Sequence, residues 1–453
     1  MRIVIPPLNV EESDGFQNDL FERKSFGDAL LNLVNRTNGE LVISLDGQWG
    51  EGKTTFIKMW QGLLNESNIP SVYIDAFSND YIDDSFIAIS SAITEFVDRY
   101  DLNAEVANEF KDKAKKVGGK LLSWTAKLGV KTATLGILKD ADIEELNDIK
   151  NDIAEGTSTL VNNFIEERLE SHVKDIELMS SFKRALSDLP GAISDNDGKP
   201  LVIIIDELDR CKPTYAIDLI EKVKHIFTVQ NVVFVLVMHK KQLEESVKCI
   251  YGQNIDARAY LQKFIHIETL LPKRVGSRHT NDLGRYSRRL LELHELETWG
   301  DDRNINDCIE PLANHFNLSL RQLEKVFTNI AVLYSSSSER HLRLVPIITF
   351  LSVLKVINSP LFHRLQTMNA TYSQVCEETG LTDEIDTELD EENRKLKLLM
   401  MWVKYALMPS DEFNALDEED RLRGFEQSLW EYSVDRQNLI PIFIQQLNMF
   451  RVV

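Results

Sequence analysis

Eight consecutive residues near the start of the chain have the types and spacing that bind phosphate. The run Gly47–Thr54 fits the pattern G-x-x-x-x-G-K-[ST] in full. Its glycines allow the loop to wrap tightly and to point backbone N–H groups at phosphate oxygens. Lys53 would supply a cation to the β- and γ-phosphates, and the Thr54 hydroxyl would bind Mg²⁺. The residues predicted to bind the nucleotide are Gly47, Trp49, Gly50, Glu51, Gly52, Lys53, Thr54 and Thr55.

Two acids follow a second apolar run, Leu201–Ile205. A phosphate-binding loop needs a carboxylate at a nearby strand tip to hold hydrated Mg²⁺, and we predict that Asp206 fills this role together with Thr54. Glu207, one residue later, is predicted to orient and polarise the attacking water. The alternative is a solvated acidic turn after a core strand. The loop and the acids predict each other, so together they indicate a nucleoside-triphosphate site.

Two further features of this region admit more than one interpretation. Asp209 and Arg210 extend the acidic motif and either pair with each other or tune the site. Trp49 packs either beneath the loop, as a support, or beside the base of the nucleotide. For Trp49, support of the loop is the preferred interpretation.

The elements that must position these residues alternate between strands and helices. A buried strand, Leu41–Leu45, leads into the loop, and an amphipathic helix, Thr54–Leu64, leaves it. The further predicted strands are Ser71–Ala76, Leu201–Ile205, Val232–Val237 and Phe264–Leu270. Strands alternating with helices, followed by helices alone, predict an α/β fold with a parallel P-loop NTPase sheet, a helical insertion and an all-helical C-terminal domain.

The same pattern divides the chain into four segments. Residues 1–100 and 199–275 are predicted to form the first and second parts of the P-loop NTPase core. Residues 101–198 are rich in Lys and Glu, show helical periodicity and carry no strand signal, so they are predicted to be a helical insertion. Residues 276–453 are predicted to form the helical C-terminal domain.

Both motifs resemble those of the KAP family of P-loop NTPases. The loop Gly47–Thr55 has a tryptophan ahead of its second glycine, and Asp206–Cys211 reads Asp-Glu-Leu-Asp-Arg-Cys. Looser similarity at Tyr260–Phe264 and Leu318–Lys325 extends the resemblance over roughly residues 14–335. The resemblance implies a core of the additional-strand type and ATP as the nucleotide. Prokaryotic members include proteins that exclude or abort phage infection.

The sequence also departs from the family pattern. Glu207 stands where the family more often has aspartate, and a glutamate at this position suits a catalytic base. His239 ends a strand that often closes on aspartate in the family, so a γ-phosphate-sensing role there is in doubt. Many members carry membrane-spanning helices between the two motifs, and this chain does not. The resemblance makes Arg321 a candidate γ-phosphate contact from the helical domain, the alternative being a surface arginine. Arg258 and Arg274 are merely available as fingers acting in trans.

Charge and composition narrow the partners. With 72 acidic and 51 basic residues the net charge is −21, which argues against a nucleic-acid coat protein or motor. The basic segment Lys111–Lys139 packs on its own protein or a neighbouring subunit, or contacts an anionic membrane surface or nucleic acid. The apolar run Leu344–Leu354 is too short to span a bilayer. Isolated cysteines, no signal core and no membrane span predict a cytoplasmic protein.

These observations predict an Mg²⁺-dependent ATPase in which Lys53 and Glu207, with Arg321 implied by the resemblance, are the catalytic residues. Hydrolysis would drive a conformational change or assembly through the helical regions, in a homo-oligomer or with a protein partner. The alternative is a slow nucleotide-gated switch whose output is partner binding rather than turnover.

Overall fold

The computed structural model describes residues 2–5, 15–37, 39–81, 85–99, 104–128, 177–193, 198–274, 281–384, 391–432 and 434–449. Their central element is a sheet of five parallel strands. The strands are β1 (Leu41–Asp46), β2 (Ser71–Asp75), β3 (Leu201–Asp206), β4 (Val232–Met238) and β5 (Ile267–Leu270).

The strand order places the two sequence motifs on one edge of the sheet. The order is β2-β3-β4-β1-β5, so β4 lies between the strand that leads into the P-loop and the strand that carries the acids. Asp46 is in register with Met238, and Asp75 is in register with Asp206. Because the strands are parallel, their carboxyl ends share an edge, and ligands of such sheets bind there.

The central strand β4 shows why the sheet has helices on both faces. All of its residues are buried, as expected for a parallel strand of Val, Phe, Leu and Met. Phe234 and Leu236 pack into the apolar cluster on one face, and Val235 and Val237 pack into the cluster on the other. Each such side chain contributes about 1.5–3 kcal/mol through removal from water, so the sheet is held firmly between its layers.

The core helices cover the two faces of the sheet. One face is covered by α1 (Lys24–Asn35) and α2 (Lys53–Glu66), and the other by helices that include α3 (Ser85–Arg99) and α6 (Pro213–Phe227). The other described core helices are α4 (Ala104–Leu128), α5 (residues 177–188), α7 (Lys240–Tyr251) and α8 (Ala257–Leu261).

The described residues from 281 onward form helices around a third apolar cluster. They are α9 (Asp282–His294), α10 (Asp302–His315), α11 (Leu320–Ser335), α12 (Val345–Ile357), α13 (Ser359–Gln366), α14 (Tyr372–Thr379), α15 (Glu391–Leu407), α16 (Ser410–Asn414), α17 (Arg421–Leu429) and α18 (Leu439–Asn448). The predicted α/β core with a C-terminal helical region is therefore confirmed. The four-segment domain division remains a prediction.

The fifth strand begins later than predicted. The expectation was Phe264–Leu270, whereas the ladder starts at Ile267. The His266 ring Nδ1 accepts the Val42 N–H at 3.0 Å, so a side chain takes the place of a strand carbonyl just before β5. Phe264 and Ile265 are buried in the turn instead, which explains why an apolar run suggested strand.

Within the part of the chain that the structure describes, no helix combines the length and apolar character needed to cross a membrane. The basic helix α4 buries Phe110, Ala114 and Val117 in the cluster that also contains α3. The side chains of Leu121, Trp124 and Leu128, and residues 129–139, lie outside the described part. For the described residues the packed interpretation of this segment is the one observed.

Candidate functional site

The P-loop connects β1 to α2 through two glycines in the left-handed region. Gly50 has φ of +81° and Gly52 has φ of +83°, which side-chain-bearing residues rarely adopt. Lys53 then opens α2, and its ammonium Nζ donates to the carbonyls of Gly47 at 2.6 Å and Gln48 at 3.2 Å. The lysine is 9% exposed, so its charge is held inside the curve of the loop.

The environment of Lys53 is strongly acidic. Burial lowers the pKa of its ammonium, and the negative charges of nearby carboxylates oppose that effect. Those carboxylates, in decreasing order of influence, belong to Asp209, Asp206, Asp46 and Glu51. A buried cation that also contacts loop carbonyls suits the binding of an anion, because phosphate oxygens would replace these partners with stronger ones.

Asp206 lies at the tip of β3 and is 1% exposed. It accepts hydrogen bonds from the Tyr73 hydroxyl at 3.1 Å and from the Glu207 N–H at 2.7 Å, and the Thr54 hydroxyl also favours its charged form. Burial raises its pKa, and these hydrogen bonds counteract the rise. The structure thus brings together Thr54 and Asp206, the two residues that the sequence predicts as metal ligands.

The residues present fit Mg²⁺. The hydroxyl of Thr54 and the carboxylate of Asp206 are hard oxygen ligands that lie close enough for the hydroxyl to lower the pKa of the acid. Among the described residues there is no cluster of three or more His, Cys, Asp or Glu side chains arranged to hold a metal. Mg²⁺ ordinarily takes one or two carboxylates and completes its shell with phosphates and water, so a site with few protein ligands is the expected kind.

Glu207 has a strained backbone and an ionic partner. Its φ is +59°, in the left-handed region that disfavours a glutamate. Its Oε1 lies 2.6 Å from Nη1 of Arg210. Burial raises its pKa, and the Arg210 charge lowers it. Arg210 therefore pairs with Glu207, and the pair of Asp209 with Arg210 that the sequence left open is not the one observed.

Trp49 joins three strand tips. Its indole N–H donates to Asp209 Oδ2, on the turn after β3. Its ring meets the ring of His239, after β4, edge to face with centroids 5.7 Å apart and an interplanar angle of 71°. The indole is nonetheless 44% exposed. Trp49 therefore contacts the protein beside the loop instead of packing beneath it. The His239 ring packs against one side of the indole.

Gly50 and Arg321 are in contact. The Arg321 N–H points at the Gly50 carbonyl at 3.4 Å, and a Cβ added at Gly50 would lie 2.7 Å from the Arg321 Cβ. Ser319 and Gln322 form a capping box that fixes the start of α11 at this point. The first turn of a C-terminal helix thus rests directly on the P-loop, with the Arg321 side chain exposed beside it.

The remaining predicted residues have simple surroundings. The Glu51 carboxylate accepts the Gln48 N–H at 2.8 Å and lies 3.7 Å from Lys273 Nζ, so it braces the loop from within the protein. Thr55 is half-buried in α2. Arg258 is exposed on α8, and Arg274 pairs with Glu22. Both were named only as available to act in trans, and that role stays a prediction.

One buried residue beside the loop escaped sequence reasoning. Arg23 is 7% exposed, and burial lowers the pKa of its guanidinium. Its Nη1 donates to the Glu51 carbonyl at 3.2 Å and its Nε donates to the Pro272 carbonyl at 3.0 Å. It therefore ties the lead-in segment, the P-loop and the end of the sheet together. A single arginine before an amphipathic helix carries no signal that would have identified this role.

Comparison with known proteins agrees with this geometry. The family model of the KAP family P-loop domain matches residues 23–337. The chain belongs to the KAP family of P-loop NTPases. The match ends two residues after α11, so this KAP member continues through the helices from α12 onward beyond the shared domain.

Other similar proteins add little about function. An uncharacterized protein of Methanocaldococcus jannaschii is 34% identical over 133 residues, which is 27% of this chain and 66% of that protein, somewhat less than two thirds of its length. Cdc6p from Pyrobaculum aerophilum aligns with 98% of this chain and 96% of its own, at 12% identity and a TM-score of 0.39. The Aeropyrum pernix ORC2 protein, in its ADPNP-ADP complexes, has the same coverages with 13% identity and a TM-score of 0.34. Likenesses this weak carry no argument about this KAP member.

Proposed function

We propose that this protein is an Mg²⁺-dependent ATPase whose cycle moves its helical region relative to the P-loop. The observation that carries the proposal is the interaction of the Thr54 hydroxyl with Asp206, which lowers the pKa of that carboxyl. It links the loop after β1 to the tip of β3 across the intervening strand β4. A P-loop threonine beside a strand-tip acid is the arrangement that nucleoside-triphosphate hydrolysis requires.

Each residue then has a role. The N–H groups at the start of α2 and the Lys53 ammonium bind the phosphates, and Lys53 exchanges the Gly47 and Gln48 carbonyls for them. Thr54 and Asp206 would hold Mg²⁺, which when bound neutralises charge on the phosphate oxygens. Glu207 accepts the proton of the attacking water, and its raised pKa makes it a better base than an ordinary glutamate.

The contact between Gly50 and Arg321 supports coupling to the helical region. A change in the loop on binding or release of phosphate would press on or release the first turn of α11. Arg321, which is exposed at that point, would reach the terminal phosphate from the helical side. This route would carry the output to a partner or to another copy of the chain.

Phosphate release by the purified protein, with ATP and Mg²⁺, tests the proposal. Glu207→Gln should lower the single-turnover rate about 10²–10⁴-fold while leaving nucleotide binding intact, because it removes the base and keeps the shape. Glu297→Gln changes an exposed carboxylate in the helical region and is the matched control, with an unchanged rate. Equal, negligible rates in the wild type and Glu207→Gln would reject hydrolysis.

The second candidate, a slow nucleotide-gated switch, is favoured by the ion pair of Glu207 with Arg210 at 2.6 Å. An arginine that holds the carboxylate away from water would keep turnover low until a partner moves it. Under this candidate Arg210→Ala raises the hydrolysis rate above that of the wild type. Under the first candidate the rate is unchanged or falls.

Assembly and biological role extend the proposal. A homo-oligomer formed through the helical regions would complete the site with an arginine in trans, and its mass measured with and without nucleotide tests this. A role in phage defence rests on what the family resemblance implies of prokaryotic members. Plaque counts on bacteria that express the wild type or Lys53→Ala test it, with protection expected from the wild type alone.

A further inference from the structure

The strongest unassigned feature of the described residues is the contact between Trp49 and Asp209. Trp49 is the third residue of the P-loop pattern, a position that the pattern leaves open. Asp209 lies three residues after the metal-binding candidate Asp206. The indole N–H donates to the Asp209 carboxylate and so connects the outer part of the loop to the acidic turn.

The two partners of this contact differ in burial, since Asp209 is buried and Trp49 is partly exposed. Asp209 is 5% exposed, and a buried carboxylate needs a donor because desolvation without one is costly. The Trp49 indole, which is itself partly exposed to solvent, donates to this carboxylate. A change in the indole position would therefore leave a buried charge weakly satisfied, so the loop and the turn are energetically linked.

The linked groups lie next to the phosphate-binding cation. Of the carboxylates that raise the pKa of Lys53, that of Asp209 has the largest effect. A terminal phosphate bound by Lys53 would bring further negative charge close to the Asp209 carboxylate. The ring of His239 limits how the Trp49 ring can tilt, because it packs edge to face against it. The indole is thus held where phosphate charge acts on its partner.

We propose that Trp49 and Asp209 are positioning residues that close the P-loop on the acidic turn and so set the affinity for the nucleoside triphosphate. The inference deepens the proposed ATPase function and rests on it for the identity of the ligand. The hydrogen bond, rather than the negative charge alone, is the agent. The pair acts through the loop backbone and through the turn that carries Asp206 and Glu207.

A double-mutant cycle on nucleotide affinity tests the pair with a slowly hydrolysed ATP analogue and Mg²⁺. Trp49→Phe keeps the ring and its contact with His239 but removes the donor, and Asp209→Ala removes the acceptor. Each should weaken binding about tenfold, and the double variant should bind no more weakly than either single one, since both remove the same bond. Losses that multiply to about a hundredfold, or single variants with wild-type affinity, would overturn the proposal.

Asp209→Asn separates the hydrogen bond from the charge. Its amide oxygen still accepts the indole N–H, so the affinity should return to within about threefold of the wild type. An Asp209→Asn variant that binds as weakly as Asp209→Ala would show that charge is the agent and would contradict the proposal. Thermal unfolding of every variant, measured beside these titrations, identifies any loss that arises from misfolding.

The emission of Trp49 gives a signature that a merely structural contact would not. The chain has six tryptophans, so the difference between the wild type and Trp49→Phe isolates this indole. The difference emission should shift on addition of the triphosphate analogue, and Trp430→Phe, which removes an exposed indole in the helical region, should leave that shift unchanged. No shift in the wild type would overturn the proposal. If the protein does not hydrolyse ATP but the double-mutant cycle gives the expected affinities, the ATPase proposal is rejected and the role of Trp49 and Asp209 in nucleotide binding stands.

Discussion

The strand-tip edge and the helical region treat buried charge in opposite ways. At the edge, Lys53 opens α2 and Asp206 ends β3, and burial shifts the pKa of each in the direction that favours the neutral form. In the helical region, Arg436 is equally buried, but its guanidinium donates to the backbone carbonyls of Tyr405 and Met408 and stacks 4.7 Å over Phe413. Lys53 and Asp206 can exchange their present partners for a ligand, whereas the hydrogen bonds of Arg436 stabilise the fold.

This contrast separates function from stability. A charge with mobile or replaceable partners can exchange them for phosphate or metal, at a cost to the free protein. A charge whose donors bind fixed backbone carbonyls stabilises the folded state and has no free donor for a ligand. Substitutions in the two regions should therefore change different measured quantities.

The largest effect is expected at the edge. Lys53→Ala removes the cation of the loop and should weaken ATP binding at least about 100-fold, because two charge-assisted hydrogen bonds to phosphate are lost. Titration with a fluorescent ATP analogue measures this, and circular dichroism checks that the fold is kept. Undiminished affinity would mean that the loop does not bind the phosphates at all.

The reciprocal substitution lies in the helical region. Arg436→Ala leaves two buried carbonyls without donors and removes the cation from the Phe413 ring, so the free energy of unfolding should fall by about 2–4 kcal/mol. Urea denaturation measures the loss, and the nucleotide titration should be unchanged once the protein is folded. A loss of affinity with intact stability would erase the distinction between the two regions.

A third substitution tests the boundary between them. Gly50→Ala puts a Cβ 2.7 Å from the Arg321 Cβ at a φ of +81°, so α11 must move away from the loop. Phosphate release should fall about tenfold, equivalent to 1.4 kcal/mol, with less change in affinity. Gly39→Ala, where an added Cβ meets nothing within 4 Å, is the control. Equal rates in all three proteins would show that α11 does not read the loop.

The smallest effect concerns pH. Because burial raises the folded-state pKa of Asp206 above its usual 3.8, its ionisation destabilises the free protein. Protonation of the buried Asp206 carboxyl therefore stabilises the folded protein. This stabilisation is fully present below pH 3.8 and is lost as the pH rises through the folded-state pKa, with about 1.4 kcal/mol lost for each pH unit between the two pKa values. The stability of Asp206→Asn relative to the wild type should therefore decrease as the solution is acidified into that window. Urea unfolding without nucleotide or Mg²⁺ measures this, and a pH-independent difference would contradict it.

Local patterns predicted the fold better than the site. Short, largely apolar runs located β1, β3 and β4 to within a residue, because buried parallel strands need such runs. The additional-strand order followed from the family resemblance, and the observed strand order confirms it.

The site contacts that escaped prediction join distant segments. The bond from Arg23 to Pro272 spans 249 residues, and that from Trp49 to Asp209 spans 160. No periodicity within a window of the sequence encodes such pairs, because only the assembled strand order brings them together. The sequence could name Gly50 as part of the loop, but only the docked α11 shows why a side chain is excluded there.

The anchorage of Arg23 has a consequence for the order in which the protein forms as it leaves the ribosome. The guanidinium needs the carbonyl of Glu51, available early, and that of Pro272, which emerges more than two hundred residues later. The contact of Arg23 with the end of the sheet therefore forms only after Pro272 has been synthesised, which makes this anchorage a late, long-range folding event. In a ribosome-bound chain that stops before residue 272, Arg23 should have only the Glu51 carbonyl of its two partners.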